Sequence, residues 1–257
     1  ISHNIHPTAV VDSTAQLGEN ISIGAFTIIE PEVVIGRGTS IGNNVTISTG
    51  TTIGIDCTIF HSSSIGAIPQ DLKYNNEETF LHIGDRTVIR EFVTVNKGTS
   101  ALGKTVVGSD CLLMASVHVA HDCIVGNNVI MSNLTTLGGH VNISDWVILS
   151  GGVLVHQFCN VGAHAFIGAG GLVTQDVPPF ILAAGSPLEY SGINSVGLKR
   201  RGFSVQERKD IKNIYNIYFR SKSNRSDNLL KIKNELSSQK NSETIINFIK
   251  HSERGII

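Results

Sequence analysis

The chain has 257 residues, enough for one or two domains with a sizeable core, and 41% of them are apolar but only 6% aromatic and 16% charged. That composition suits a globular protein with an aliphatic interior and excludes a disordered chain or a collagen. Twenty Lys and Arg against 21 Asp and Glu leave a net charge of −1, which argues against a dedicated basic nucleic-acid binder, and no run nears the roughly 18 apolar residues of a membrane span.

In chain order, Ile1-Ser2-His3-Asn4 lacks the basic and apolar regions of a secretory leader. Cys57, Cys111, Cys123 and Cys159 form no CxxC pair and no zinc-type spacing, so reduced thiols in a cytoplasmic protein are expected. The dominant signal is a six-residue repeat. Of the 29 positions taken every sixth residue from Ile5 to Val173, 26 are Ile, Val, Leu or Met, the exceptions being Asp71, Glu77 and Ala101. In twelve repeats Gly follows the aliphatic residue, as at Gly18, Gly36, Gly108 and Gly138, which suggests corners of positive φ. Short strands with one large inward aliphatic each, joined by such corners, build a triangular coil of 18 residues. Stacked coils predict a left-handed parallel β-helix over residues 1–187.

Two polar stretches, 67–82 and 96–106, leave this rhythm and rejoin it in phase. Loops on a rigid scaffold are where binding residues collect, although a tolerated surface insertion has the same pattern. Gly98 to Thr105 matches GxxxxGKT, but that motif cradles phosphate only ahead of a helix. Here the repeat resumes at Val107, so the match is rejected.

His118, His121, His140 and His156 crowd into one stretch of coil. A period of 18 stacks His121, Gly139 and Gln157 in one column, and Asp122, His140 and Phe158 in the next, with coils ~4.8 Å apart. A corner His beside an acid, with a backbone Gly one coil on, has the makings of a general base, its orienter and an oxyanion donor. An exposed histidine row and a zinc site fit the same spacing.

After Asp176-Val-Pro-Pro179 the repeat stops, and Gly185-Ser-Pro187 marks a boundary. Helical patterning starts at Ser204-Val-Gln-Glu207, a capping box followed by Ile211, Ile214, Tyr215 and Tyr218. Two shorter helices are expected near 226–237 and 242–252, making 188–257 a small helical domain. Charge divides the same way. Residues 1–190 hold 6 basic and 15 acidic side chains (−9), and 191–257 hold 14 and 6 (+8). Within the basic part, Leu198-Lys199-Arg200-Arg201-Gly202-Phe203 can clamp phosphate through Arg forks or simply form a solvated face; it has no interleaved aromatic platform for nucleic acid.

Gln70-Asp71-Leu72-Lys73-Tyr74, His118-Val-Ala-His121-Asp122-Cys123, Gly138-Gly139-His140-Val141, Val155-His156-Gln157-Phe158 and Gly197 to Phe203 together resemble the UDP-N-acetylglucosamine acyltransferases that start lipid A synthesis. The likeness spans nearly the whole chain. It implies transfer of a 3-hydroxyacyl chain from acyl carrier protein to the glucosamine 3-position of a UDP-sugar, by a homotrimer with clefts between subunits and no metal or other cofactor. It makes His121 the general base, Asp122 its orienter and the Gly139 N–H the oxyanion donor. Asp71, Lys73 and His118 resemble sugar contacts, and His140 lies near the reactive centre. His156, Gln157, Asn194, Arg200 and Arg201 resemble nucleotide and phosphate contacts, and the basic tail faces an acidic carrier. Val196 stands where members often carry an acid, which puts one nucleotide contact in question. Ala169 falls where the family closes its acyl groove, and its small side chain implies room for a longer chain.

Other readings remain at this level. Some relatives acylate a 3-amino sugar. A trimeric β-helix carbonic anhydrase uses interfacial His and zinc, but gives the Gly197–Phe203 run no role. An ice-binding or scaffold β-helix wants regular Thr faces, present here only in patches, and an acetyl-CoA-dependent hexapeptide acetyltransferase is the general fallback.

Overall fold

A computed structural model describes residues 4–221, 223–236 and 241–257. Ile1, Ser2 and His3, on which the expectation of no leader rests, lie outside the described residues, as does position 237 at the expected end of the middle helix. Among the described residues the chain from Asn4 onward runs as strands of two to five residues in three sheets of 11, 9 and 8 strands. Every strand but the last pairs in parallel with one a full coil away: Ile5 opposite Ile23, Val11 opposite Ile29, Leu17 opposite Ile35. This is the expected left-handed parallel β-helix.

Its interior takes two residues per hexad, not one. The repeat aliphatics, such as Ile47, Ile65, Leu113 and Val119, are fully buried. So are the residues two before them, most often Val, Thr or Cys, as at Val33, Thr39, Cys57, Cys111, Val117, Cys123 and Cys159. This second position explains the cysteines. All four are free and buried, and the Cys57, Cys111 and Cys123 thiols each donate to a glycine carbonyl of the next coil at 3.1 Å. Burial pushes the Cys123 thiol up to about 12, so it is an inert filler of the corner.

The repeat glycines serve a different purpose from the expected one. Of the twelve, only Gly66 has positive φ. The left-handed corner falls two residues later and is occupied by residues such as Asn20, Asp56, Asn128 and His140. What requires Gly is close approach of the coils. A Cβ on Gly108 would lie 2.3 Å from the Gly126 carbonyl oxygen, and one on Gly36 would lie 2.5 Å from that of Gly54.

Both polar stretches preserve the phase. Ile53 pairs with Ile83, 30 residues on, and Ile83 with Val107, 24 on, instead of 18. The inserts therefore add twelve and six residues, whole multiples of the repeat. No helix follows the GxxxxGKT match; Lys104–Val107 is a strand.

The coil ends in Ile181–Ala184, which pairs antiparallel with Glu189–Ile193, so a strand opens the segment expected to be helical. Among the described residues four helices follow: α1 (Ser195–Arg200), α2 (Val205–Arg220), α3 (Arg225–Leu236) and α4 (Ser242–Lys250). Helix α1 precedes the expected first helix. At six residues, with Gly197 inside it, it shows no periodicity, and it is held by the Asn194 side chain accepting from the Gly197 N–H. The capping box of α2 forms as read: Glu207 N–H to Ser204 Oγ at 3.1 Å and Ser204 N–H to Glu207 Oε2 at 2.8 Å. Its buried face carries Ile211, Ile214, Tyr215 and Tyr218, and Tyr215 OH donates to the Pro179 carbonyl at 2.6 Å, tying helix to coil. No helix among the described residues is long and apolar enough to cross a membrane.

Candidate active site

His121 and Asp122 occupy one corner of the coil, with Asp122 at its left-handed position (φ 58°). That turn points two adjacent side chains to the same side. His121 Nδ1 lies 2.8 Å from Asp122 Oδ2, and the Asp122 carboxylate is wholly buried while His121 remains partly open. The carboxylate also accepts two hydrogen bonds from Thr99. Oδ1 accepts the Thr99 N–H at 3.0 Å, and Oδ2 accepts the Thr99 hydroxyl at 2.6 Å. The Asp122 N–H in turn donates to Thr105 Oγ1 at 2.9 Å. Burial works to raise the Asp122 carboxyl, but the hydrogen bonds from Thr99 and His121 outweigh it and hold it below the usual carboxylate range. A fixed anion thus holds one imidazole nitrogen and leaves Nε2 for other work.

One coil on, Gly139 lies against that ring. A Cβ at this position would meet His121 Cε1 at 2.6 Å and Nε2 at 2.7 Å, so no larger residue fits without moving the imidazole. Gly139 is buried, and its N–H makes no hydrogen bond among the described residues. At equivalent corners a side chain of the next coil takes this donor, as Asn127 does for Ser109 and Asp145 for Asn127. At Gly139 the corresponding residue is Gln157, which makes no such bond, so the donor stands free beside Nε2. His140 meets His121 edge-on at 5.2 Å and stacks on Phe158 at 4.6 Å, with Nε2 3.7 Å from Asp122 Oδ2.

The first insert folds over this corner. Gln70, Asp71, Leu72 and Lys73 line a cleft of about 560 Å³ with His121, His140, Gln157 and Phe158. Asp71 Oδ1 accepts the Lys73 N–H at 2.9 Å, which shapes the loop tip. His118 sits one strand before His121, its Nδ1 2.7 Å from Thr94 Oγ1; burial first, and the charge of His121 second, lower its pKa. An adjoining shallow groove is lined by Thr136, Gly139, Leu154, His156, Gln157 and Leu172, an apolar track starting at the same glycine. His156 is exposed there, with Arg254 3.0 Å from its Nδ1.

The remaining expected residues do not join this cluster. Ala169 is exposed on a different corner of the prism. Asn194 is buried and caps α1, its amide donating to the His164 carbonyl at 2.9 Å. Arg200 projects from the end of α1, and Arg201 packs on His164 and Trp146. The residue missed from the sequence is Thr99. It lies in an insert where the 18-residue bookkeeping lapses, so no column argument links it to Asp122. Thr105 was within reach, being one coil before Cys123.

His121, Asp122 and His140 offer nitrogen and oxygen atoms within 4.8 Å of one another. As donors for zinc they fit poorly, because Asp122 already accepts from Thr99 twice and from His121. What the cluster offers is a held imidazole, a free N–H beside it and an apolar track leading away. Those are the parts of an acyl-transfer site.

Comparison with known proteins agrees. Residues 176–257 match the model of domain 2 of UDP-N-acetylglucosamine O-acyltransferase, and 14–49 and 104–139 match the bacterial transferase hexapeptide model. The acyl-(acyl-carrier-protein)–UDP-N-acetylglucosamine O-acyltransferase of Myxococcus xanthus is 46% identical over 98% of both chains. That of Herminiimonas arsenicoxydans is 48% identical over 84% of this chain and 83% of its own. The solved UDP-N-acetylglucosamine acyltransferase of Bacteroides fragilis superposes with a TM-score of 0.96 at 46% identity, covering 98% of this chain and 99% of that one. The one from Francisella novicida gives 0.95 at 39%, covering 98% and 93%. The zinc-dependent anhydrase and scaffold readings are not favoured by these relatives. The chain belongs to the UDP-N-acetylglucosamine O-acyltransferase family.

Proposed function

We propose that the chain transfers a 3-hydroxyacyl group from acyl carrier protein to the 3-hydroxyl of the glucosamine of UDP-N-acetylglucosamine, the first step of lipid A biosynthesis, in the cytoplasm. The observation that carries this reading is the Asp122–His121–Gly139 arrangement beneath the Asp71–Lys73 loop. With Nδ1 held by Asp122, His121 Nε2 takes the proton of the sugar 3-hydroxyl as that oxygen attacks the thioester carbonyl. The Gly139 N–H, unoccupied and preset, donates to the oxyanion. Collapse expels the carrier thiolate, which recovers the proton from the imidazolium, so acid and base balance over one cycle. Asp71, Lys73 and His118 hold the sugar, and the apolar track along Leu154 and Leu172 starts where the acyl chain must leave the carbonyl.

We further propose a homotrimer. Asn194, Arg200, Arg201 and Ala169 stand away from His121 on one chain, and a three-fold arrangement of prisms lets one subunit's nucleotide and acyl-groove residues face another's base. The basic C-terminal segment meets the acidic carrier.

Mass spectrometry of products from UDP-N-acetylglucosamine and its 3-amino analogue, with a panel of acyl-carrier thioesters, tests the reaction. An O-acylated product is expected, abolished in His121→Ala. Turnover of the amino sugar alone would reassign the acceptor, and wild-type activity of His121→Ala in a correctly assembled protein would remove the base. Light scattering at working concentration should give three chains; a monomer with full activity would overturn the trimer.

A further inference from the structure

A second corner of the prism carries a ladder of aromatic rings. Trp146, His164 and Phe180 hold successive left-handed positions at φ 64°, 62° and 69°. Trp146 and His164 are stacked at 6.2 Å with 2° between planes, and His164 and Phe180 at 5.6 Å with 17°. Phe203, just beyond α1, closes edge-on against His164 at 5.1 Å and Phe180 at 5.8 Å. The backbone of this ladder anchors α1. The Asn194 N–H donates to the Phe180 carbonyl at 2.8 Å, and the Asn194 amide to that of His164 at 2.9 Å.

Onto this ladder falls Arg201. Its Nη1 is 3.2 Å from His164 Nδ1, and its guanidinium carbon lies 5.1 Å from the centre of the Trp146 ring. A guanidinium only donates, so the contact requires His164 Nδ1 to be an unprotonated acceptor. Burial first, and the charge of Arg201 second, lower the His164 pKa to about 4, which keeps that lone pair available at neutral pH. No carboxylate pairs with Arg201 among the described residues, so its remaining N–H groups stay uncommitted to an internal anion.

We infer that His164, with Trp146, is a positioning residue for Arg201, presetting its guanidinium to receive the diphosphate of the UDP-sugar. The inference rests on the proposed reading of Arg201 as a nucleotide contact. A neutral acceptor and an aromatic face fix the plane of the fork without neutralising it, which an Asp or Glu partner would do. Preset donors bind an anion without first losing rotamer freedom.

The test uses the full-length enzyme and reads KM for the UDP-sugar separately from kcat. His164→Phe keeps the ring stack and removes the acceptor. It should raise KM roughly tenfold, the effect of one hydrogen bond to a charged group, with kcat unchanged. Arg201→Ala should raise KM at least as much. The double variant should be no worse than Arg201→Ala, because the two act as one unit. His164→Asn, whose side-chain oxygen supplies an acceptor, should recover most of the loss. Trp146 is exposed, so Trp146→Leu is a second variant that spares the core, and it should raise KM in the same direction. A raised KM in Arg201→Ala beside wild-type KM in both His164→Phe and Trp146→Leu overturns the positioning role alone. An unchanged KM in Arg201→Ala overturns the reading of Arg201 and the inference with it.

Discussion

At the scale of single residues, the site depends on contacts of less than one side chain's width. Gly139 is glycine because His121 fills the space of its missing Cβ. Gly139→Ala should fold normally, since an imidazole end can shift, but lower kcat by about 100-fold through misplacement of His121, the proposed base. A thermal melt beside steady-state kinetics checks both halves. Thr99 gives a more graded expectation. Thr99→Val removes the hydroxyl bond to Asp122 Oδ2 that helps to hold this carboxyl below the usual range, so the carboxyl should take up its proton at higher pH. The acid limb of the pH profile of kcat/KM should move upward and kcat fall about tenfold, with Thr99→Ser restoring both. A profile that keeps its shape would reduce Thr99 to a packing residue. The columns His121–Gly139 and Asp122–His140 were legible in the sequence because coil stacking is periodic. Thr99 was not, because a residue inside a loop that leaves the coil is placed by the path of the loop, which periodicity does not specify.

At the scale of elements, the repeat is readable while its reasons are not all visible. The strands follow from 26 aliphatics in 29 places, yet the glycines looked like turn formers and are spacers between coils. The two roles separate by substitution. Gly108→Ala drives a Cβ to 2.3 Å from the Gly126 oxygen and should cost about 1–3 kcal/mol. Asn128→Gly, at φ 57°, should stay within about 0.5 kcal/mol of wild type, since glycine suits that corner. Urea midpoints of the two variants test the contrast; equal losses would contradict it. Helix α2 was legible from its capping box and α1 was not, because six residues are too few for a period of 3.6 to show. Its cap, Asn194, is identifiable only once His164 and Phe180 are placed beneath it.

At the scale of the whole molecule, charge and acid stability carry the remaining expectations. The segment at +8 should make catalysis with the carrier protein far more sensitive to salt than catalysis with a short acyl-pantetheine. Equal salt dependence of kcat/KM for the two donors would remove the electrostatic encounter. His164 makes the fold sensitive to acid. Its folded pKa is about 4 against 6.5 unfolded, so as pH falls the unfolded chain gains the proton first. The stability contributed by the neutral ring is complete above 6.5 and is lost down to about 4. The urea midpoint of the wild type should therefore fall between these limits more steeply than that of His164→Phe.

The inserts of twelve and six residues give this fold something like a reading frame. Each position downstream faces inward or outward by its count from the start, so a change of length not divisible by six would turn Ile83, Ile89 and all later core aliphatics toward water. Removing the twelve residues 68–79 should abolish catalysis yet leave a cooperative melt, whereas removing ten should leave none. The two inserts differ from the plain coil by whole repeats, the unit that the core itself counts.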